Sequence, residues 1–232
     1  MKTEKYPEAA FLSAITASAT HEARNVLAII KESAGLVEDL VQVHATRGSL
    51  DREKVHKALA RIEHQVKRGA DLLTTLNRLV HTLDQDLSKV NLSQEVEQLI
   101  LLSRRFARLK NQQVEAEKGP EGCHLAVNAL HLHMILHGTM MRCLEELPQG
   151  SKVAVGVREE GGAALVEFRS AGGRNAPGPS PEVGGWPHLE SLGEALGAKI
   201  QRCPTGYGIQ ILFSRSPGTR EAPIGSKGQD TE

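Results

Sequence analysis

The sequence predicts an α+β fold in which a long helical hairpin precedes an α/β sandwich. Two observations lead to this prediction. Along residues 1–88, apolar side chains recur at three- and four-residue steps, which is the period of an amphipathic helix. After Ser88 the pattern changes to shorter segments in which helices alternate with strands. That order of elements indicates one open sheet covered by helices.

The hairpin consists of two long predicted helices. The first runs from about Glu8 to Val43 and is followed by a polar turn at residues 45–48. The second runs from about Asp51 to Leu87, with Ser49 or Asp51 as its N-cap. The expected buried stripes are Leu12, Ile15, Ala19, Ala23, Val26, Leu27, Ile30, Ala34, Val37 and Val41 in the first helix and Val55, Leu59, Ile62, Val66, Leu72, Leu73, Leu76, Leu79, Val80 and Leu83 in the second. Two helices cannot cover both stripes, so we expect two hairpins to pair as a homodimeric four-helix bundle.

The second half of the chain is predicted to contain a strand at residues 89–92, an N-capped helix at 93–107, a strand at 113–116, a helix at 129–147, strands at 152–157 and 164–169 joined by Gly161-Gly162, a helix at 187–196 and a strand at 208–214. A Gly- and Pro-rich loop occupies residues 171–185. The chain therefore divides into a hairpin domain (1–88), an α/β domain (89–216) and a tail (217–232). The tail is rich in Gly, Pro, Ser and charged residues, and we expect it to be disordered.

Composition limits the class of partner. The 232 residues carry 28 basic and 28 acidic side chains, and this balance argues against nucleic acid as the main ligand. No run approaches the roughly 20 apolar residues that span a bilayer, and no charged leader followed by an apolar segment begins the chain. We therefore expect a cytoplasmic protein that does not enter a membrane. The three cysteines, Cys123, Cys143 and Cys203, are far apart and odd in number, which speaks against a disulfide framework.

The segment that carries chemistry lies in the first helix. His21 is followed by an acid, Glu22, and one turn later by an amide, Asn25. The helical period places His21 off the apolar stripe, on an outward face that it shares with Ala17, Asn25 and Ala28. Nothing bulky flanks the imidazole on that face, so a docking partner could reach it.

The pattern His21-Glu22-x-x-Asn25 followed by apolar residues resembles the phosphoacceptor box of two-component sensor histidine kinases. The resemblance extends over nearly the whole chain. Residues 89–93 resemble the start of the kinase ATP-binding domain, and residues 133–150 resemble its asparagine-bearing helix. Residues 170–173 and 184–198 stand in the places of its two glycine boxes.

The second half departs from the kinase pattern where nucleotide would bind. The asparagine that holds magnesium falls at about Arg142 and its first partner at about Gly138, and neither side chain supplies an oxygen ligand. The aspartate that binds adenine is replaced by Ser170, and Pro187 removes an amide at the second glycine box. The resemblance therefore implies a degenerate ATP-binding domain without a stably bound cofactor.

A chain that keeps the histidine and loses the nucleotide site resembles the histidine phosphotransferases. These enzymes carry phosphate between response-regulator aspartates without ATP. The implied partners are therefore receiver domains, including that of a hybrid histidine kinase, and the receiver domain would supply Mg²⁺. His21 would attack the aspartyl phosphate, and Glu22 would accept a hydrogen bond from the other ring nitrogen. Asn25 could orient a water for phosphatase activity, and Arg24 or Lys31 could stabilise the phosphoryl oxygens.

Receiver docking is expected on the small residues beside His21. These include Ala14, Ala17, Ser18 and Ala28, with Arg24 beside them, although Ala14 and Ser18 could equally serve helix packing alone. Three other functions stay open at this point. The chain could be a non-catalytic dimeric regulator, a response-regulator phosphatase that uses Asn25, or an atypical sensor histidine kinase.

A metal site is the remaining alternative for two further histidines. His133 and His137 stand four residues apart on one helical face, but no Cys or carboxylate shares that face at ligand spacing. We therefore expect no metal, and we expect these histidines to be partly buried polar residues that fill the vacated nucleotide pocket.

Overall fold

The computed structural model describes residues 7–48, 50–82, 87–170, 186–203 and 208–214. Two helices, α1 (Pro7–Arg47) and α2 (Arg52–His81), form the hairpin. Helix α1 is followed by Gly48, whose φ of 72° is accessible to glycine and whose amide donates to the His44 carbonyl. The side chain of Asp51 accepts a hydrogen bond from the Lys54 amide and caps α2. The alternative cap, Ser49, lies outside the described residues.

The hairpin closes through apolar packing between its two helices. Ile15 and Val26 of α1 are buried, as are Leu72 and Leu79 of α2. A Cβ atom at Gly69 would lie 3.2 Å from a methyl group of Val26, so glycine allows α2 to approach α1 closely there. Each fully buried aliphatic side chain of this kind contributes about 1.5–3 kcal/mol to folding.

The α/β part begins at Ser88. Its elements are β1 (Ser88–Asn91), α3 (Leu92–Leu109), β2 (Gln113–Ala116), β3 (His124–Val127), α4 (Ala129–Glu146), β4 (Lys152–Glu160), β5 (Ala163–Ser170), α5 (Pro187–Ala195), β6 (Ala198–Arg202) and β7 (Gly208–Phe213). Strands β1 and β3 pair antiparallel in a small sheet. The main sheet has the order β2-β4-β5-β7-β6, in which β2 and β4 are parallel and the other neighbours are antiparallel.

One face of the main sheet forms the core with helices α3, α4 and α5. Val155, Phe168 and Ile209 lie opposite one another on neighbouring strands and belong to the same buried cluster as Leu136 and Met140 of α4. The β4–β5 hairpin turns through Gly161 and Gly162, both at positive φ, as its sequence predicts. The predicted helical hairpin followed by an α/β sandwich is confirmed.

The hairpin and the α/β part share one apolar core. Phe11, Ile15 and Ala19 of α1 belong to the cluster that continues into α3, α4 and the sheet. Within this junction the hydroxyl of Ser18 donates a hydrogen bond of 2.8 Å to the carbonyl of Leu102 in α3. The two parts therefore pack as one body, although the sequence changes character at Ser88.

Several boundaries differ from the predicted ones. Strands β3 and β6 were not predicted, and α3 begins one residue early because Asn91 caps it by accepting from the Gln94 amide. Helix α2 ends at His81, six residues before the predicted end at Leu87. The predicted loop at 171–185 and the predicted disordered tail lie outside the described residues. Among the described residues, no helix is both long enough and apolar enough to cross a membrane.

Candidate functional site

The candidate site is centred on His21, which lies exposed on α1. Ala17 and Ala28 are exposed on the same face, as predicted, and Asn25 is half-buried there. The amide nitrogen of Asn25 lies 3.3 Å from Nδ1 of His21. Asn25 is therefore the side chain that contacts the imidazole, because one helical turn places the two residues directly above each other.

The contact with Asn25 favours one tautomer of the imidazole, and the tautomer determines which ring nitrogen has an available lone pair. When the Asn25 amide nitrogen donates to Nδ1, the neutral ring carries its proton on Nε2. After a half-turn of the amide, its oxygen would accept a hydrogen bond from Nδ1–H, and the lone pair of Nε2 would be available on the exposed ring. Asn25 can thus hold His21 in the tautomer that a nucleophilic Nε2 requires.

Glu22 does not contact the imidazole. Its side chain is only 3% exposed and lies on the buried face of α1, where one carboxylate oxygen is 2.8 Å from Arg68 of α2 and the other contacts Arg108 of α3. The predicted hydrogen bond, donated by a ring nitrogen of His21 and accepted by Glu22, is therefore not formed. A carboxylate held by two arginines joins three helices, and we call Glu22, Arg68 and Arg108 the Glu22 cluster.

An open groove of about 610 Å³ runs along α1 beside His21. It is lined by the hydroxyl-bearing residues Ser13, Thr16 and Thr20 together with His21, Arg24 and Arg105. Ala17 also faces this groove, whereas Lys31 does not line it. Ser18, one of the expected docking residues, is instead fully buried, and its hydroxyl donates to the Leu102 carbonyl. We call this space the His21 groove.

Arg105 belongs to α3, and no pattern around His21 predicts it. Its position depends on how α3 packs against α1, through the Ser18–Leu102 hydrogen bond and the contact of Phe106 with His137. The sequence offered one weak signal, the arginine pair Arg104-Arg105 in an amphipathic helix.

Helix α5 packs against α4 in the predicted nucleotide region. A Cβ atom at Gly138 would lie 2.4 Å from a methyl group of Leu189, so α5 packs directly on α4 at the position where the sequence resemblance predicts the partner of a magnesium ligand. Trp186 is buried beside it, and Arg142 lies 3.3 Å from Glu145 in an ion pair on its own helix. A cleft of about 540 Å³ lies here, lined mainly by these residues.

The two histidines of α4 face the hairpin instead of this cleft. The ring of His137 lies edge-on between Phe11 and Phe106, and burial there lowers its pKa to about 4. Nδ1 of His137 is 3.3 Å from the hydroxyl of Ser103. The prediction that His133 and His137 fill the vacated nucleotide pocket is wrong, because α4 turns both toward α1, α2 and α3.

His133 takes part in a second buried charged cluster. Its Nε2 lies 2.9 Å from a carboxylate oxygen of Glu95, whose other oxygen contacts Arg78 of α2. Glu95 and His133 are both almost fully buried. This cluster, like the Glu22 cluster, ties α2 to the α/β part, and His133 and His137 thus contact different groups. Within the described residues, no group of three or more His, Cys, Asp or Glu side chains could hold a metal ion.

No protein-family model matches this chain, and no curated protein matches it. Solved structures do resemble it. The cytoplasmic segment of histidine kinase QseC gives a TM-score of 0.43 at 16% identity, over 66% of this chain and 93% of that one. The Acinetobacter baumannii histidine kinase AdeS gives 0.45 at 12% identity, over 79% of this chain and 95% of that one. Histidine kinase ThkA, in a crystal with response regulator protein TrrA, gives 0.45 at 16% identity, over 94% of this chain and 66% of that one.

Proposed function

We propose that this protein is a histidine phosphotransferase of a two-component phosphorelay in the cytoplasm. His21 would accept a phosphoryl group from the aspartyl phosphate of one receiver domain and pass it to the aspartate of another. The observation that supports this most is the exposed His21 with Asn25 on its ring nitrogen, facing an open groove.

The transfer step needs only groups at this site and on the partner. The lone pair of Nε2 attacks phosphorus, the bond from phosphorus to the aspartyl oxygen breaks, and the aspartate leaves as a carboxylate. The imidazolium that forms keeps its proton on Nδ1, and the oxygen of Asn25 can accept a hydrogen bond from this N–H. Mg²⁺ on the receiver would neutralise the phosphoryl oxygens. The reverse sequence delivers the group to the second receiver.

A reaction without ATP is part of the proposal. Arg142 carries a positive charge where magnesium would bind, Ser170 lacks a carboxylate, and Leu189 occupies the space in front of Gly138. A kinase would also have to carry nucleotide from this region to His21. The Glu22 cluster and the Arg78–Glu95–His133 cluster oppose such a movement because it would remove the arginine partners of two buried carboxylates.

We also propose a homodimer. Four apolar side chains of α2 stand seven residues apart and are about half exposed or more: Leu59, Val66, Leu73 and Val80. This is the heptad spacing of a helix that packs against other helices along one side. Helix α1 exposes Leu27, Leu36, Val41 and Val43. The four side chains of α2, together with Leu27 and Val41 of α1, are predicted in the buried stripes, and a second hairpin would cover them in a four-helix bundle.

The function is tested with a panel of receiver domains from the same genome, each phosphorylated with acetyl phosphate and Mg²⁺. We expect at least one receiver to transfer acid-labile phosphate to the protein, and a second unphosphorylated receiver to remove it. The His21→Gln variant should accept none. Absence of transfer from every receiver to the folded protein would contradict the proposal.

A phosphatase is the second candidate, because the half-buried amide of Asn25 lies one helical turn from His21 and is a polar group that could orient a water against the aspartyl phosphate of a docked receiver. The same panel separates the two functions. A phosphatase would release inorganic phosphate from a receiver without labelled protein, would retain activity in His21→Gln, and would lose it in Asn25→Ala.

A further inference from the structure

Two positive charges line the His21 groove without a balancing carboxylate. Arg24 is exposed on α1 and Arg105 reaches the same groove from α3. Among the described residues, neither arginine side chain forms an ion pair or a hydrogen bond. The neighbouring Arg108, by contrast, is neutralised by Glu22.

Arg105 is the more informative of the two. Its Nε atom is inaccessible to solvent and has no hydrogen-bond partner among the described residues. A half-buried guanidinium without an acceptor is costly, because desolvation of the charge is not offset. An anion in the groove would not reach the enclosed Nε, but it would offset the charge, and its oxygens could accept two hydrogen bonds from the terminal Nη atoms of the guanidinium.

The fold also fixes where Arg105 stands. The preceding turn of α3 is held to α1 by the buried hydrogen bond from Ser18 to Leu102. The following residue, Phe106, packs against the ring of His137. Arg105 lies between these two anchors, so its guanidinium is positioned against α1 before any ligand arrives.

We infer that Arg105 and Arg24 form a phosphate-binding site beside His21, so that the α/β domain supplies part of the phosphoacceptor site. The inference rests on the proposed function for its physiological ligand, the phosphoryl group in transit. Arg105 would hold two oxygens of that group and Arg24 the third, with the hydroxyls of Thr16 and Thr20 as further donors. The degenerate domain then contributes to transfer through α3 and not through its nucleotide region.

The inference is tested with phosphoramidate, a small donor that requires no receiver. Nε2 of His21 attacks its phosphorus, the phosphorus–nitrogen bond breaks, and ammonia leaves. Arg105→Gln should slow the labelling of His21 by about tenfold or more, the scale of losing one positioned donor to transition-state charge. Arg105→Lys, which keeps the charge but not the planar guanidinium, should give an intermediate rate.

Arg104→Gln is the matched control. It removes the same charge from the adjacent residue, which lines a different cavity with Arg68 and Arg108. We expect less than about a twofold change in rate, because an exposed charge outside the groove is largely screened. Thermal unfolding of each variant confirms that it is folded. Equal rates for Arg105→Gln and the unaltered protein, or equal losses in both arginine variants, would overturn the inference.

A binding measurement separates this inference from the proposed function. Inorganic phosphate is titrated into the His21→Gln protein at constant ionic strength, with and without Arg105→Gln. We expect phosphate to bind and Arg105→Gln to weaken it about tenfold, the scale of a charge-assisted contact. If phosphate binding depends on Arg105 but His21 of the unaltered protein accepts no phosphate from any donor, the phosphate-binding site stands and the phosphotransferase function is refuted. Phosphate binding that does not depend on Arg105 would refute the site alone.

Discussion

Replacement of Glu22 by glutamine separates a structural role of this carboxylate from a chemical one. The change removes one negative charge and leaves the shape of the side chain intact. Neutralising one partner of a fully buried ion pair costs about 3–5 kcal/mol, because the other charge stays buried and unpaired. Here the Arg68 side chain is 27% exposed and that of Arg108 is 50% exposed, so water recovers part of the loss. We expect the free energy of unfolding to fall by about 2 kcal/mol.

Urea denaturation at a fixed protein concentration measures this loss, which corresponds to a midpoint lower by about 1 M. A double-mutant cycle with Arg68→Met should give a larger coupling energy with Glu22 than a cycle with Arg108→Met, because Arg68 is less exposed. Phosphate acceptance per folded molecule should stay within about twofold of the unaltered protein, since Glu22 does not contact His21. A strong loss of phosphate acceptance at an unchanged urea midpoint would refute this reasoning and would indicate that Glu22 acts directly on the His21 ring.

Four further predictions follow from the same contacts. Asn25→Ala should slow phosphate transfer several-fold without changing the unfolding midpoint, because the ring loses the group that selects its tautomer; an unchanged rate would exclude that role. Burial lowers the pKa of His137 to about 4 in the folded protein, against an ordinary value of 6.5. Between these two pH values the unfolded chain binds a proton at His137 that the folded chain does not, so the free energy of unfolding decreases as the pH decreases. The free energy of unfolding should drop by about 1 kcal/mol more between about pH 7.5 and 5.5 than in His137→Gln, which denaturation at both pH values measures. Ala17→Arg should block exchange with a receiver while the circular dichroism and phosphoramidate labelling persist; loss of folding would show that this face is not free. Leu73→Glu should convert the proposed dimer to a monomer in sedimentation, whereas Leu109→Glu, at a similarly exposed position on α3, should not; a dimer that persists in Leu73→Glu would contradict the proposed bundle.

The elements with strong periodicity or strong turn residues could be predicted from the sequence. The two hairpin helices follow from their apolar steps, and the β4–β5 turn follows from Gly161-Gly162. Strand β3 was missed because it is four residues long and pairs with β1, which precedes it by a whole helix. Its strand conformation therefore depends on a distant partner more than on its own pattern.

The site was predicted in part for similar reasons. The outward position of His21 depends on the helical period alone, and so does its neighbour Asn25. Glu22 was predicted to contact the imidazole and instead lies on the buried face of α1, in helical register with Ile15 and Val26. The helical register alone does not predict a buried acid, because its two arginine partners lie 46 and 86 positions further along the chain. Arg105 depends on the same long-range packing.

The central claim is that phosphate on His21 comes from a receiver and not from ATP. The most direct test incubates the protein and its His21→Gln variant with Mg²⁺ and γ-labelled ATP, or with a labelled phosphorylated receiver, and measures acid-labile label on the chain. The account predicts label from the receiver alone, and none on the variant. Acid-labile label from ATP without a receiver would contradict it, and would require a functional nucleotide site around Arg142 and Ser170.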